Sequence, residues 1–253
     1  MDLATLQKIS TQILSREVPT YKRYLYSKID FNSKLIGITG ARGAGKSTIL
    51  LQYAKSLELP NSKILYVSCD HPAMSGESLY DIAEAFYARG GKLFVIDEIH
   101  KNEHFSKDLK AIYDVFELQV LFSGSSALQI ENSLADLSRR AVIHTLGVLS
   151  LREFCELQTK QTFQSYTLEE ILQNHEDIVF EIKKQIQPLE LFNDYLQFGC
   201  YPFYQESLSD YPIKLLEVIN LTIDSDLCGI YNIDPSKLDK LKKIIYMLCS
   251  TKP

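Results

Sequence analysis

The sequence has no Cys-x-x-Cys pair, no excess of basic charge and no apolar run approaching the roughly 20 residues of a membrane span. Its five cysteines, Cys69, Cys155, Cys200, Cys228 and Cys249, are scattered and odd in number. That spacing argues against a disulfide framework or a zinc site and fits a reducing cytosol. Lysine and arginine total 27 against 32 acids, a net charge of −5. Nothing global therefore supports a nucleic-acid partner or an acidic membrane surface. Met1-Asp2-Leu3-Ala4-Thr5 is not a basic stretch leading into an apolar one, so no signal peptide and a cytoplasmic location are expected. Repeats and low-complexity tracts are missing too. What remains is ordinary globular composition, 45% hydrophobic and 23% charged. At 253 residues the chain can build one large or two smaller domains with a sizeable core.

Against that plain background one segment stands out. Gly40-Ala41-Arg42-Gly43-Ala44-Gly45-Lys46-Ser47 matches the Walker A phosphate-binding loop in full. Leu35–Thr39 before it reads as a buried strand, and Ser47–Leu57 after it as a helix. Glycines let backbone N–H groups turn inward around phosphates. The helix N-terminus adds partial positive charge. Lys46 is placed to reach the β- and γ-phosphates and the Ser47 hydroxyl to ligate Mg²⁺. Gly40 through Ser47, with Thr48, are the nucleotide-binding candidates. Arg42 reads as a surface or partner contact rather than a catalytic group.

Apolar residues at helical spacing from Leu3 to Arg16 predict an amphipathic lead-in helix, and Pro19 follows it. From Leu35 strands and helices alternate. Strands are expected at Leu35–Thr39, Lys63–Ser68, Lys92–Asp97, Gln119–Ser123 and Ala141–Leu146. Helices are expected at Ser47–Leu57, Ser78–Ala88, Phe105–Phe116 and Ser133–Leu137. Alternation of this kind predicts an α/β fold, a parallel sheet with helices on both faces. Its site should lie beyond the carboxyl ends of the strands. Past Leu151 the pattern turns helical, with Thr167-x-x-Glu170 reading as a capping box. The expected organisation is a lead-in at 1–34, a nucleotide-binding core at 35–150 and a smaller helical domain at 151–253. The last helix ends abruptly without an obvious partner, which suggests a missing C-terminal part.

Lys92-Leu93-Phe94-Val95-Ile96-Asp97-Glu98 is an apolar strand ending in two acids, a Walker B pattern. Asp97 would hold Mg²⁺ opposite Ser47. Glu98 would orient or deprotonate an attacking water. One intervening strand between the two motifs predicts the additional-strand branch of P-loop proteins. Ser123 and Ser125, at the end of a further strand, are candidate sensors of the γ-phosphate, since a hydroxyl both donates and accepts. A strand-to-helix turn with an N-cap serine competes with that reading. Arg140, beside Arg139, is a candidate for neutralising transition-state charge, against a solvated basic pair. His100 and His104 are too few for a metal site, and His100 better suits a relay beside Glu98. Cys69-Asp70-His71 reads as a turn. Ser27-Lys28-Ile29-Asp30 and Ser236-Lys237-Leu238-Asp239 only faintly echo a guanine-reading motif, which favours ATP.

Gly37 to Thr48, Val95 to Lys101 and Leu121 to Ser126 together resemble the AAA-type ATP-binding proteins of bacteria and archaea. Arg140, Leu149 to Phe154, Phe198-Gly199-Cys200-Tyr201-Pro202 and Asp224-Ser225-Asp226-Leu227 are similar to later pieces of that family. Arg139 and Cys200 stand where glycine is usual, and Ser123 where threonine is common. The resemblance implies an AAA-like ATP-binding fold followed by a further C-terminal domain. The leading expectation is an Mg²⁺-dependent ATPase whose nucleotide state moves the helical domain. A slow, nucleotide-gated switch that binds a protein partner is the alternative, and a small-molecule kinase the third. Self-association and a monomer are both allowed.

Overall fold

The computed structural model describes residues 2–124, 137, 139–227, 234 and 237–250. They form two compact units, Met1–Leu146 with Lys214–Pro253, and Gly147–Ile213.

The first unit is built on a sheet of five parallel strands: β1 (Leu35–Gly40), β2 (Ile64–Ser68), β3 (Leu93–Asp97), β4 (Gln119–Gly124) and β5 (Val142–Leu146). Their spatial order is β2-β3-β4-β1-β5. β4 is therefore inserted between the strand that precedes the phosphate loop and the strand that ends in Asp97. This is the α/β P-loop arrangement of the additional-strand branch, and each strand lies within a residue or two of its expected bounds. Every residue of β1 and β3 is buried, as continuous apolar strands covered on both faces should be.

Alternate residues of each strand feed two separate cores. Phe94, Ile96, Val120 and Phe122 pack with α3 (Leu79–Ala88) and α4 (Phe105–Val115). Leu93, Val95, Ile36, Ile38 and Leu121 pack with α2 (Lys46–Ser56). The lead-in helix α1 (Leu3–Leu14) serves both, with Leu3 and Leu6 in the first core and Leu14 in the second. It lies along the edge strand β2, where the Ser10 hydroxyl accepts the Tyr66 N–H at 2.8 Å. A helix thus covers an edge that would otherwise expose unpaired backbone groups.

Later in the same unit, a π-helical stretch at Thr222–Leu227 leads on, and α9 (Leu238–Ser250) is tied to it by a Lys242–Asp224 ion pair of 2.7 Å. The second unit opens with α5 (Leu151–Thr159), capped reciprocally by Ser150 and Glu153. The Glu153 carboxylate is 1% exposed and accepts from both the Ser150 N–H and hydroxyl. α6 (Leu168–Gln185) starts at the expected Thr167–Glu170 capping box. α7 (Pro188–Phe198) follows, and its Tyr195 hydroxyl donates to the Leu149 carbonyl at 2.8 Å. α8 (Tyr211–Leu221) begins where this unit ends. Among the described residues, no helix is long and apolar enough to cross a membrane. Of the helix expected at Ser133–Leu137, all but Leu137 lies outside the described residues.

Candidate functional site

The loop after β1 turns through Gly43 and Gly45, both at positive φ (79° and 99°), a region that suits glycine. Gly40, also at positive φ (150°), is required for a second reason. A Cβ there would lie 2.3 Å from the Leu146 carbonyl oxygen on β5. Gly45 is the N-cap of α2 and offers no side-chain hydrogen bond to the first turn. The helix thus starts with N–H donors that no cap side chain satisfies, the arrangement that accepts phosphate oxygens. Lys46 is 4% exposed and donates to the Gly40 and Ala41 carbonyls, each at 3.0 Å. Arg23 braces the loop from outside, donating to the Ala44 carbonyl at 2.7 Å. Ala41 and Gly43 are exposed, while Arg42, Ser47 and Thr48 are half-buried.

Asp97, at the end of β3, is 8% exposed and gripped from two sides. The Ser123 hydroxyl of β4 donates to its Oδ1, and the Tyr66 hydroxyl of β2 donates to its Oδ2 at 2.7 Å. Ser123 is fully buried and also accepts the Glu98 N–H at 3.1 Å. One serine thereby fixes both acids. Glu98 sits at φ 52°, an unusual left-handed backbone for a residue with a Cβ and one that clusters at functional sites. Its Oε2 is 3.5 Å from Nε2 of the buried His100.

The electrostatics follow from burial beside carboxylates. Burial first, then the charge of Asp97, pushes the Tyr66 hydroxyl far up, so it remains a donor. The Cys69 thiol is pushed up to about 12 by burial, then by Asp97 and Glu98. The nearby Ser47 side chain works against that rise in Tyr66. A hydroxyl, a carboxylate and a local negative field are what a hard divalent cation requires. On the donor set, Ser47 and Asp97 fit Mg²⁺.

The structure therefore brings Lys46, Ser47, Asp97, Glu98 and Ser123 to the same carboxyl edge of the sheet. It does not bring Arg140 there. Val142 pairs with Ile36 and Leu146 with Gly40, so Arg140 precedes the start of β5, roughly 20 Å of strand away from the loop. It forms a two-pronged ion pair with Asp114 at the end of α4, at 2.8 and 2.9 Å. The hydrogen bond with Asp114 raises the guanidinium and lowers the carboxyl. Ser125 lies outside the described residues. His71 accepts the Ala73 N–H at 3.1 Å and caps a short turn. His104, unlike His100, lines a polar cleft of about 870 Å³ between the loops that follow β2 and β3.

Sequence reasoning missed Tyr66 and Arg23. Tyr66 had a signal, a single phenol within the aliphatic run Ile64-Leu65-Tyr66-Val67. Arg23 had none, because its contact depends on how residues before β1 fold back over the loop.

Residues 32–155 match the family model described as an AAA domain. An uncharacterized protein of Methanocaldococcus jannaschii is 30% identical over 264 residues, covering 95% of this chain and 55% of that protein. The chain thus spans about half the length of this curated relative. Among solved structures, C. elegans PCH-2 is similar over 62% of this chain and 45% of its own, at 16% identity and TM-score 0.38. AMPPCP-bound DnaA from Aquifex aeolicus is similar over 97% and 79%, at 14% identity and TM-score 0.37. Likeness this partial adds nothing to what the sheet order and the family match establish.

Proposed function

The chain belongs to the AAA-type P-loop ATPases, its AAA domain lying at residues 32–155, and from that premise we propose that it binds ATP with Mg²⁺ and hydrolyses it. The observation that carries this reading is the buried Asp97 held between the Tyr66 and Ser123 hydroxyls, at the same sheet edge as the buried Lys46 of the glycine-rich loop. Buried charges and hydroxyls persist where they are mutually satisfied or have a ligand to meet.

In this reading Lys46 and the N–H groups of Gly43 to Thr48 bind the β- and γ-phosphates. Ser47 and Asp97 hold the cation. Mg²⁺, when bound, supplies charge neutralisation at the phosphate oxygens. Glu98 orients the attacking water and takes its proton. Ser123 keeps Asp97 and Glu98 in register, and Ser125 stays the alternative sensor. Arg140 has no part within one chain, because Asp114 holds it at the other end of the strands. The proposal includes coupling of nucleotide state to movement of the helical part; the expected domain at 151–253 narrows here to the compact unit Gly147–Ile213, since Lys214–Pro253 group with the sheet.

A second reading draws on the Glu98–His100 contact. In that reading the nearby His100 restrains Glu98 and turnover is slow, which suits a nucleotide-gated switch for a protein partner. Phosphate release by the purified protein beside a Glu98→Gln variant, with bound nucleotide quantified, tests both. The ATPase reading expects Glu98→Gln to cut turnover by roughly 10²–10⁴-fold with binding retained. No turnover in either protein, with nucleotide bound in both, selects the switch. No bound nucleotide in either removes both.

A further inference from the structure

β2 is one of the two edge strands of the sheet, and its third residue brings a buried phenol to the centre of the site. Tyr66 is 3% exposed. Its hydroxyl donates to Asp97 Oδ2 at 2.7 Å. That one oxygen therefore holds one of the two groups that suit the cation. Phenylalanine would fill the same volume without needing partners, so the hydroxyl requires its own explanation. With Ser123 holding Oδ1, the two lone-pair faces of Asp97 are set by β4 on one side and β2 on the other. Among the described residues, β2 has no strand on its outer side. Its Tyr66 N–H is fixed instead by the Ser10 hydroxyl of α1, at 2.8 Å, and Ser10 is 1% exposed.

We infer that Tyr66 is a positioning residue for the divalent cation: its hydroxyl sets the orientation of Asp97 relative to Ser47, and Ser10 on α1 fixes Tyr66 in turn. Outer groups that orient metal ligands act on metal affinity, not on the remaining contacts of the ligand. Within the phosphate loop, Lys46 is held by the Gly40 and Ala41 carbonyls, contacts that loss of the phenol oxygen leaves in place. Nucleotide binding without metal is therefore independent of the phenol. This inference rests on the ATP–Mg²⁺ reading above.

The test titrates Mg²⁺ into the protein with a fluorescent ATP analogue, following bound analogue, and repeats the binding in EDTA. Tyr66→Phe removes only the oxygen. It is expected to raise the Mg²⁺ concentration for half-effect about tenfold while leaving EDTA binding unchanged. Ser10→Ala is expected to shift the same midpoint in the same direction by about two- to threefold, the loss of one neutral hydrogen bond. A wild-type Mg²⁺ midpoint in Tyr66→Phe overturns the inference. So does an equal loss of binding with and without metal, which marks the residue as structural. Should Tyr66→Phe fail to fold, an unchanged midpoint in Ser10→Ala overturns it. Wild-type protein that binds the analogue with no response to Mg²⁺ defeats the reading of the metal ligands themselves, and wild-type protein that binds no analogue defeats the nucleotide site.

Discussion

At the carboxyl ends of β1 and β3, Lys46 and Asp97 lie buried, satisfied by backbone carbonyls and by the hydroxyls of Tyr66 and Ser123. At the amino ends of the same sheet, Lys34 meets Glu117 at 3.2 Å and Arg140 meets Asp114 at 2.8 Å, with Glu117 88% exposed. Both ends carry opposite charges on loops joining the same strands and helices. The carboxyl end removes them from water and fixes each atom, at a desolvation cost only a specific arrangement offsets. The amino end leaves them where water screens them and geometry matters little. A parallel sheet aims all its strands one way, so a single edge receives the loops that open helices, and chemistry concentrates there.

Lys46→Ala should break the comparison at its strongest point. The buried ammonium is the charge nearest the loop carbonyls, and without it the first turn of α2 alone must hold the phosphates. ATP affinity is expected to fall on the order of 100-fold, the scale of a lost charge-assisted contact and the unpaired group it leaves. Calorimetric or fluorescence titration would measure it. Retained affinity would mean that the loop does not read phosphate through Lys46.

Gly40→Ala probes the backbone rather than the charge. The added Cβ meets the Leu146 carbonyl oxygen at 2.3 Å, and a backbone atom cannot swing aside as a side chain does. The β1–β5 pairing must open. The expected loss is about 2–3 kcal/mol, the upper part of the overpacking range, read as a lower midpoint in chemical denaturation. A neutral result would show that β5 shifts freely, and that the rigid cradle described here is softer than its packing implies.

Legibility followed the same division. The buried strands were readable because continuous apolar runs bounded by turn residues have few alternatives. Asp97, Glu98 and Ser123 were readable because strand polarity alone sends them to one edge. Tyr66 was hidden, since a tyrosine in a strand looks like core until its hydroxyl is seen facing Asp97. Arg140 misled for the opposite reason. Proximity to a strand in sequence does not say which end of the strand, and two residues before β5 is the wrong end. Past Leu151, helices were legible but their packing was not. α6, α7 and α9 bury no residue fully among those described, and Leu168 and Leu189 are 73% and 80% exposed. Periodicity announces an apolar face without naming what covers it.

Arg140→Ala separates the two ends most sharply by doing least. An arginine at a γ-phosphate is worth roughly 10³–10⁵ in rate, so unchanged hydrolysis is a demanding outcome, and it is the expected one. The residue's effect should appear only in the Asp114 titration. Its carboxyl is held below the ordinary value of 3.8, first by the Arg140 hydrogen bond. A depressed folded-state value stabilises the protein above the unfolded value and is lost as pH falls through the folded one. Wild type and Arg140→Ala should therefore melt slightly apart at neutral pH and converge below about pH 4, while the Asp114 carboxyl signal in NMR moves up towards 3.8 in the variant. A large loss of hydrolysis with no change at Asp114 would instead put Arg140 in the reaction, acting on the site of another copy of the chain.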